Sequence, residues 1–485
     1  MKPHQQASVD EPARSTPVYG SCDVLVIGGG PAGTAAAVAA GRLGADTVLV
    51  ERYNHLGGLS TGGLVSWIDR MTDWDGNLIV AGVGAELIDR CGPDATLGPG
   101  PDIWGSKNPV EAAYWRVRTS ALRDTVHWSP TVDPEVLKLV TNDIVRESNV
   151  QTLLHCWVVA TIVRQEGQGN KVDGVIFESK QGRFALTASV VIDCTGDGDV
   201  FAQAGAGFDD DFDGESAHAR LTTSFRFGNV DMRRYLDFWM LRQDEFRETM
   251  QRASLEGISL LAHPTPYDSV ALFLTPKMAG YSALNVADLT EVEFISRDVA
   301  RRGLAFFREN VPGFARAWIL DTASQIGTRH ARRLVGAERI TIDHWRDDGG
   351  YFDSIGLCPG MTPTYPTLQI PYRSLVPVSI NGLLAAGRNL SSDTKSHAAL
   401  REIPECWAMG EAAGVAATLA VDSGVDVRDI DIPRLQAQLV AQGGIVDRPG
   451  QGHIGETHGP DSGLPDSGLA ESIHWQAVDE TRMFG

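Results

Sequence analysis

The chain is poor in cysteine: six in 485 residues, at positions 22, 91, 156, 194, 358 and 406. No two stand in C-x-x-C spacing, which excludes a zinc ribbon and a dithiol redox centre, and six are too sparse for a disulfide scaffold. Long apolar runs are absent too, since none approaches the roughly 18 residues of a membrane span. The first twenty residues (MKPHQQASVDEPARSTPVYG) lack the apolar core of a secretory signal, so the expected location is cytoplasmic. Positive charge is in deficit, with 42 Lys and Arg against 62 Asp and Glu. That balance excludes the basic surface that a nucleic-acid or anionic-membrane partner needs. Metal-ligand spacing is missing as well. The twelve histidines contain no H-E-x-x-H pattern, and His453 and His458 stand in a loose tail. Asp209, Asp211, Asp213 and Gly214 imitate the start of a calcium loop, but Arg220 stands where the bidentate glutamate belongs. No metal is expected.

What is present is an ordinary globular composition, 43% apolar and 21% charged, over a length that suggests two or three compact units. Residues 1–20 and 443–485 read as flexible tails, the second repeating PDSGL at 460–464 and 465–469. The body opens as strand (Asp23 to Ile27), glycine turn, helix (Pro31 to Leu43) and strand (Thr47 to Val50), a βαβ start that implies a parallel sheet buried on both faces. Five tryptophans (67, 74, 104, 115 and 128) mark a different stretch at 66–134. Helical patterns dominate 206 to about 366, notably 232–252 and 289–309. A last apolar strand, Gly382 to Ala386, precedes a long helix from about Pro404 to Val421.

Gly28, Gly30 and Gly33 form G-x-G-x-x-G between the predicted strand and helix. The first glycine allows the tight turn, the second admits a pyrophosphate close to the backbone, and the third lets the helix pack on the strand. Pro31 and Ala32 open the helix whose N-terminal N–H groups favour an anion. Glu51, at the end of the second strand, is placed to accept ribose hydroxyl bonds. Gly450, Gly452 and Gly455 match the same pattern without a strand before or a helix after, and are read as a decoy.

The run GGGPAGTAAAVAAGRLGADTVLVER, followed by Gly57-Gly58 and Ser60-Thr61, resembles the flavin-binding start of the glutathione-reductase-like flavoproteins. NHLGGLSTGGLV (54–65), VVIDCTGDGDVFAQAGAGF (190–208), IPYRSLVP (370–377), GLLAAGRN (382–389) and IPECWAMGEAAGVAATLA (403–420) resemble the bacterial FAD-dependent oxidoreductase family related to fumarate reductase flavoproteins. The resemblance implies an α/β fold: a doubly wound Rossmann-type FAD-binding domain with an inserted mixed α/β substrate domain. The expected FAD domain is discontinuous, 21–65, 135–205 and 373–425, with 66–134 and 206–372 as the substrate or cap domain. Carried over residue by residue, the FAD contacts are Gly28, Gly30, Ala32, Gly33, Glu51, Arg52, Gly58, Thr61, Gly196, Asp197, Arg388 and Ala413, with Val158 at the adenine through its backbone.

The expected reaction is dehydrogenation of a small organic substrate by hydride transfer to flavin N5, with reoxidation by oxygen or another acceptor. Arg329, His330, Arg332 and Arg333 are candidates to grip an anionic substrate or to pair with the chain's own acids. Between the Gly387-Arg388 turn and the long helix, His397 is the candidate base and Arg401 the candidate holder of charge near the flavin. Cys406 reads as a helix-packing residue, and nothing visible activates His55 for covalent attachment. Two alternatives stay open: an NAD(P)H-using flavin monooxygenase or reductase without a separate NAD domain, and a flavin-carrying subunit acting with a partner protein.

Overall fold

The computed structural model describes residues 10–449 apart from 168, 211–219, 259 and 347–349. The PDSGL repeat, the second glycine triplet and, of the calcium-loop imitation, Asp211, Asp213 and Gly214 lie outside the described residues, as do 1–9 and 450–485 of the expected tails.

The central strand, Val18–Ile27, is flanked in parallel by Thr47–Val50 and Gly182–Asp193. Gln151–Leu153 extends the parallel set beside Thr47–Val50, and Leu383–Ala385 pairs with the end of Gly182–Asp193. The apolar runs VLVI, TVLV and VVI are buried on both faces, as parallel strands covered by helices require. An antiparallel meander, Trp157–Glu166 and Gly169–Ser179, joins the far side through Gly182–Asp193. The register aligns Ile27 with Val50 and Asp193, Val50 with Leu153, and Asp193 with Ala385. The carboxyl ends of the parallel strands therefore finish together, where open α/β sheets bind their ligands.

The first helix, Pro31–Arg42, crosses the long helix Ile403–Ser423 at very short range. A Cβ on Gly410 would stand 2.0 Å from the Ala32 carbonyl oxygen, and one on Gly414 2.2 Å from that of Ala36. The Ala/Gly-rich surfaces of both helices exist to permit this crossing. The core around it also takes in Ile68, Met71, Val83, Leu87, Ile355, Leu357 and Ile370, residues that the sequence groups with the cap. The chain is docked further at both ends than its composition suggests. Val18–Gly20 belong to the first strand, and Val446 is buried, its carbonyl accepting from the Ser354 hydroxyl at 2.6 Å.

A second core gathers Phe225, Phe227, Tyr235, Phe246, Phe273, Phe307 and Phe314. It lies within an antiparallel sheet ordered His263–Pro264, Val270–Phe273, Phe225–Gly228, Trp318–Thr322, with helices packed against it. The predicted 232–252 helix is two helices, Met232–Leu241 and Gln243–Leu255, because the chain leaves helical geometry at Arg242 (φ −126°, ψ 49°). The other helix runs longer than predicted, Val286–Asn310, since the Asn285 side chain caps it by accepting from the Ala287 and Asp288 N–H groups. No helix among the described residues is long and apolar enough to cross a membrane.

Candidate active site

A long cavity runs over the carboxyl ends of the parallel strands, and the glycine turn forms one wall. Gly28 has φ +98°, and a Cβ there would meet the Cys194 carbonyl oxygen at 2.4 Å. Gly33 does not reach the cavity. Its hypothetical Cβ would fall 1.7 Å from the Gly28 oxygen, so its role is to let the helix sit on the turn. Gly30 differs from both: a Cβ there meets nothing within 4 Å, because it would project into open space at the helix N-terminus beside Pro31 and Ala32. Glu51 closes the turn from the next strand, its carboxylate accepting from the Gly29 N–H at 2.6 Å and the Tyr53 N–H at 2.8 Å. A second glycine turn presses on the first, with Gly58 (φ +53°) so near that its Cβ would lie 2.7 Å from the Gly30 Cα. Thr61 stays behind this turn and fastens it by donating to the Leu56 carbonyl at 2.6 Å.

At the outer end Arg52 is held between the Tyr53 and Trp157 rings, with its guanidinium 5.0 and 5.3 Å from their centroids. Trp157 and Val158 line the cavity where the Trp157–Glu166 strand begins. Asp197 does not line it but positions two residues that do, pairing with Arg388 at 2.9 Å and Arg52 at 3.6 Å. Gly196 (φ +72°) leaves the room that the Arg388 guanidinium fills. Arg388 Nη1 is buried and meets no partner among the described residues.

The residue that builds this region escaped sequence reasoning. Asp193, fully buried at the end of its strand, accepts from the Thr195 N–H and hydroxyl and from the Val200 and Phe201 N–H groups, and holds the Asn389 amide at 3.2 Å. Burial pushes its carboxyl up to about 6, against the lowering effect of those hydrogen bonds. The signal was its place: an acid ending an apolar strand directly before a glycine-rich turn.

The inner end is closed by the N-terminus of the long helix, with Arg401, Glu402, Ile403 and Cys406 in the wall. Opposite stand Trp67, Thr222, Ser224, Leu274 and the 325–329 segment, including Arg329. Of these cap-side residues only Arg329 was a sequence candidate. The others arrive through tertiary packing, and only the tryptophan-rich character of 66–134 hinted at Trp67.

Three further candidates, His397, His330 and Ala413, need correction. His397 is fully buried, does not line the cavity, and lies behind Arg388, its Nε2 2.7 Å from the Arg388 carbonyl oxygen. Burial, then the neighbouring His330, pushes it well below the usual histidine range, so it is neutral and donates that bond. It positions Arg388 and cannot meet a substrate. The loop between the Gly-Arg turn and the helix folds into Thr394–Leu400, which carries His397 inward instead of along the rim. His330 is likewise buried outside the cavity wall, its ring 5.6 Å from that of His397. Ala413 lies within the helix crossing and not on the wall. Arg332 pairs with Asp199 at 3.0 Å, the internal role weighed for it. His55 is buried against Gln325, 3.2 Å from Nε2, and does not line the cavity.

Residues 23–439 match the model of the family described as FAD dependent oxidoreductase. Among solved structures the chain is similar to a geranylgeranyl bacteriochlorophyll reductase-like protein of Thermoplasma acidophilum (13% identity, 88% of this chain and 84% of that one, TM-score 0.42). It is also similar to p-nitrophenol 4-monooxygenase of Pseudomonas putida DLL-E4 (13%, 87% and 85%, 0.43) and to a myxobacterial chondrochloren halogenase (13%, 89% and 84%, 0.42).

Proposed function

The chain belongs to the FAD-dependent oxidoreductase family, and from that premise we propose that it dehydrogenates a small organic substrate at the inner end of the cavity. FAD held there would supply the two-electron redox chemistry, with oxygen or another acceptor as the final oxidant. The residues present fit the group. Gly30 leaves an open cradle at a helix N-terminus, which suits a pyrophosphate, and the buried, unpartnered Arg388 Nη1 suits an anionic or carbonyl acceptor. Glu51 keeps lone pairs for ribose hydroxyls, and Val158 offers backbone groups beside Trp157. The finer kinship, with fumarate reductase flavoproteins, is part of the same proposal.

The observation that carries the reading is the two-sided wall of the inner end. The FAD-side helix N-terminus, with Arg401 and Glu402, faces cap residues Trp67, Leu274 and Arg329 across one space. Such a chamber holds a small molecule, and its apolar members keep water from the reacting carbon. Arg329 and Arg401 share that space, so the substrate proposed is a carboxylate or another small anion. Among the described residues the only glycine triplet set between a strand and a helix is the one already used, which favours direct substrate oxidation over a dedicated NAD(P)H site.

Anaerobic mixing of the purified yellow protein with a panel of metabolites and with NADH and NADPH tests this. We expect a small carboxylate to bleach the flavin and both nicotinamides to fail. Rapid bleaching by NADPH alone would overturn dehydrogenation in favour of a reductase or monooxygenase.

A further inference from the structure

Two strands in the cap wall of the inner end run out of step. Leu221–Thr222 pairs antiparallel with Gly327–Thr328, which places Thr222 opposite Gly327, and the Ala323 N–H donates to the Ser224 carbonyl at 2.8 Å. Between these two points one strand has a single residue, Thr223, and the other has three, Ser324, Gln325 and Ile326. The surplus forms a bulge, a device that re-aims side chains beside active sites. This one is anchored on the second glycine turn. The Gly62 carbonyl accepts from the Ser324 N–H at 2.9 Å and from the Ser324 hydroxyl at 3.2 Å.

The bulge brings the buried Gln325 to the cavity wall. His55 grips its amide from behind, with Nε2 3.2 Å from Gln325 Oε1, while Nδ1 lies 2.9 Å from Asn54 Oδ1. The ring is seated on Gly62, where a Cβ would stand 1.9 Å from Nε2, so only glycine admits it. Burial, then Lys138, holds His55 below the usual histidine range, and the ring is neutral. A neutral imidazole has one N–H and one lone pair, so it meets one of its two amides through oxygen and the other through NH2. In either arrangement one atom of the Gln325 amide is spent on His55 and the other is left for the cavity. In the same wall the Thr222 and Ser224 hydroxyls are buried and meet no partner among the described residues. Buried polar groups without partners are costly, and a ligand that pairs with them recovers that cost. All three groups are uncharged, so they suit an uncharged oxygen, as Arg329 and Arg401 in the same chamber suit a carboxylate.

We propose that Gln325, Thr222 and Ser224 bind a hydroxyl group of the substrate, which is therefore a small hydroxy carboxylate, and that His55 is the positioning residue that holds the Gln325 amide. The proposal rests on the reading that a small carboxylate occupies this chamber. An acid without the hydroxyl would leave the three groups unpaired, and a site built to bond a hydroxyl discriminates strongly against such an analogue.

Three acid pairs that differ by one hydroxyl, glycolate and acetate, lactate and propionate, malate and succinate, provide the test. Each is titrated anaerobically into holoenzyme, and binding is read from the change in the flavin absorption bands. At least one hydroxy acid should bind about tenfold or more tighter than its partner, the worth of one good hydrogen bond. Gln325→Leu and the Thr222→Val/Ser224→Ala double variant should each bring that ratio close to one. His55→Leu should do the same, and His55→Gln, which still offers Gln325 a hydrogen bond, should restore it. Without any acid present, the double variant should melt no lower than the parent, since it removes two unpaired hydroxyls. Melting several degrees lower would show that the hydroxyls hold the fold, and loss of FAD from Gln325→Leu would assign the amide to the cofactor; either result overturns the proposal. So would a ratio that survives the substitutions. Equal binding within every pair would overturn the proposal and leave the carboxylate reading standing, whereas no response to any of the six acids would overturn both.

Discussion

Gly30→Val is expected to purify as a folded, colourless protein. The turn tolerates the side chain, since Gly30 has φ −71°, a value open to any residue, and a Cβ there meets no protein atom within 4 Å. The space it enters is the one that a pyrophosphate must occupy to reach the N–H groups of the Pro31–Arg42 helix. Losing those charge-assisted hydrogen bonds, at about 1.5–3 kcal/mol each, together with the steric block removes measurable FAD binding. Circular dichroism and thermal melting should match those of apo parent protein. A fully yellow Gly30→Val protein would show that the phosphate lies elsewhere.

The second large effect is of the opposite kind. Gly410→Val should unfold the protein or leave it insoluble, although position 410 touches no cofactor in this account. The added Cβ would come within 2.0 Å of the Ala32 carbonyl oxygen, a backbone atom that cannot swing away. Overpacking a core usually costs about 1–3 kcal/mol. Here two buried helices must separate, so the loss should reach or exceed the upper end of that range. Solubility, then thermal melting with and without added FAD, reads the result. A soluble Gly410→Val protein with the parent's melting temperature would mean that the helix crossing is looser than described. Gly30 and Gly410 thus separate two uses of glycine, one leaving space for a ligand and the other for a carbonyl.

The sequence carries the dinucleotide half of this molecule well because that half is local. Strand, turn and helix follow one another within twenty-five residues, and each glycine's purpose follows from backbone geometry at its own position. Glu51 and Arg388 could be found for the same reason, since each ends or closely follows a buried strand. The inner end was legible only in part. Trp67, Ser224, Leu274 and Gln325 lie far apart in the chain and meet only after the second core folds over the sheet. His397 shows the limit most clearly. Its place in the loop before the long helix suggested the rim, but a seven-residue helix capped by Asp393 turns its ring inward to the Arg388 carbonyl. Asp193 was passed over because an acid in an apolar segment declares its burial only when its neighbours are known.

The central claim is that the whole cavity, from the Glu51 turn to the N-terminus of the long helix, holds one extended FAD. Titrating apoprotein with FAD and with FMN, followed by quenching of flavin fluorescence, tests it most directly. FMN offers nothing to Glu51, Arg52 or the Trp157–Val158 strand end, so the account predicts binding weaker by at least about 10²-fold, the equivalent of two charge-assisted hydrogen bonds. Equal affinity for FMN and FAD would contradict it.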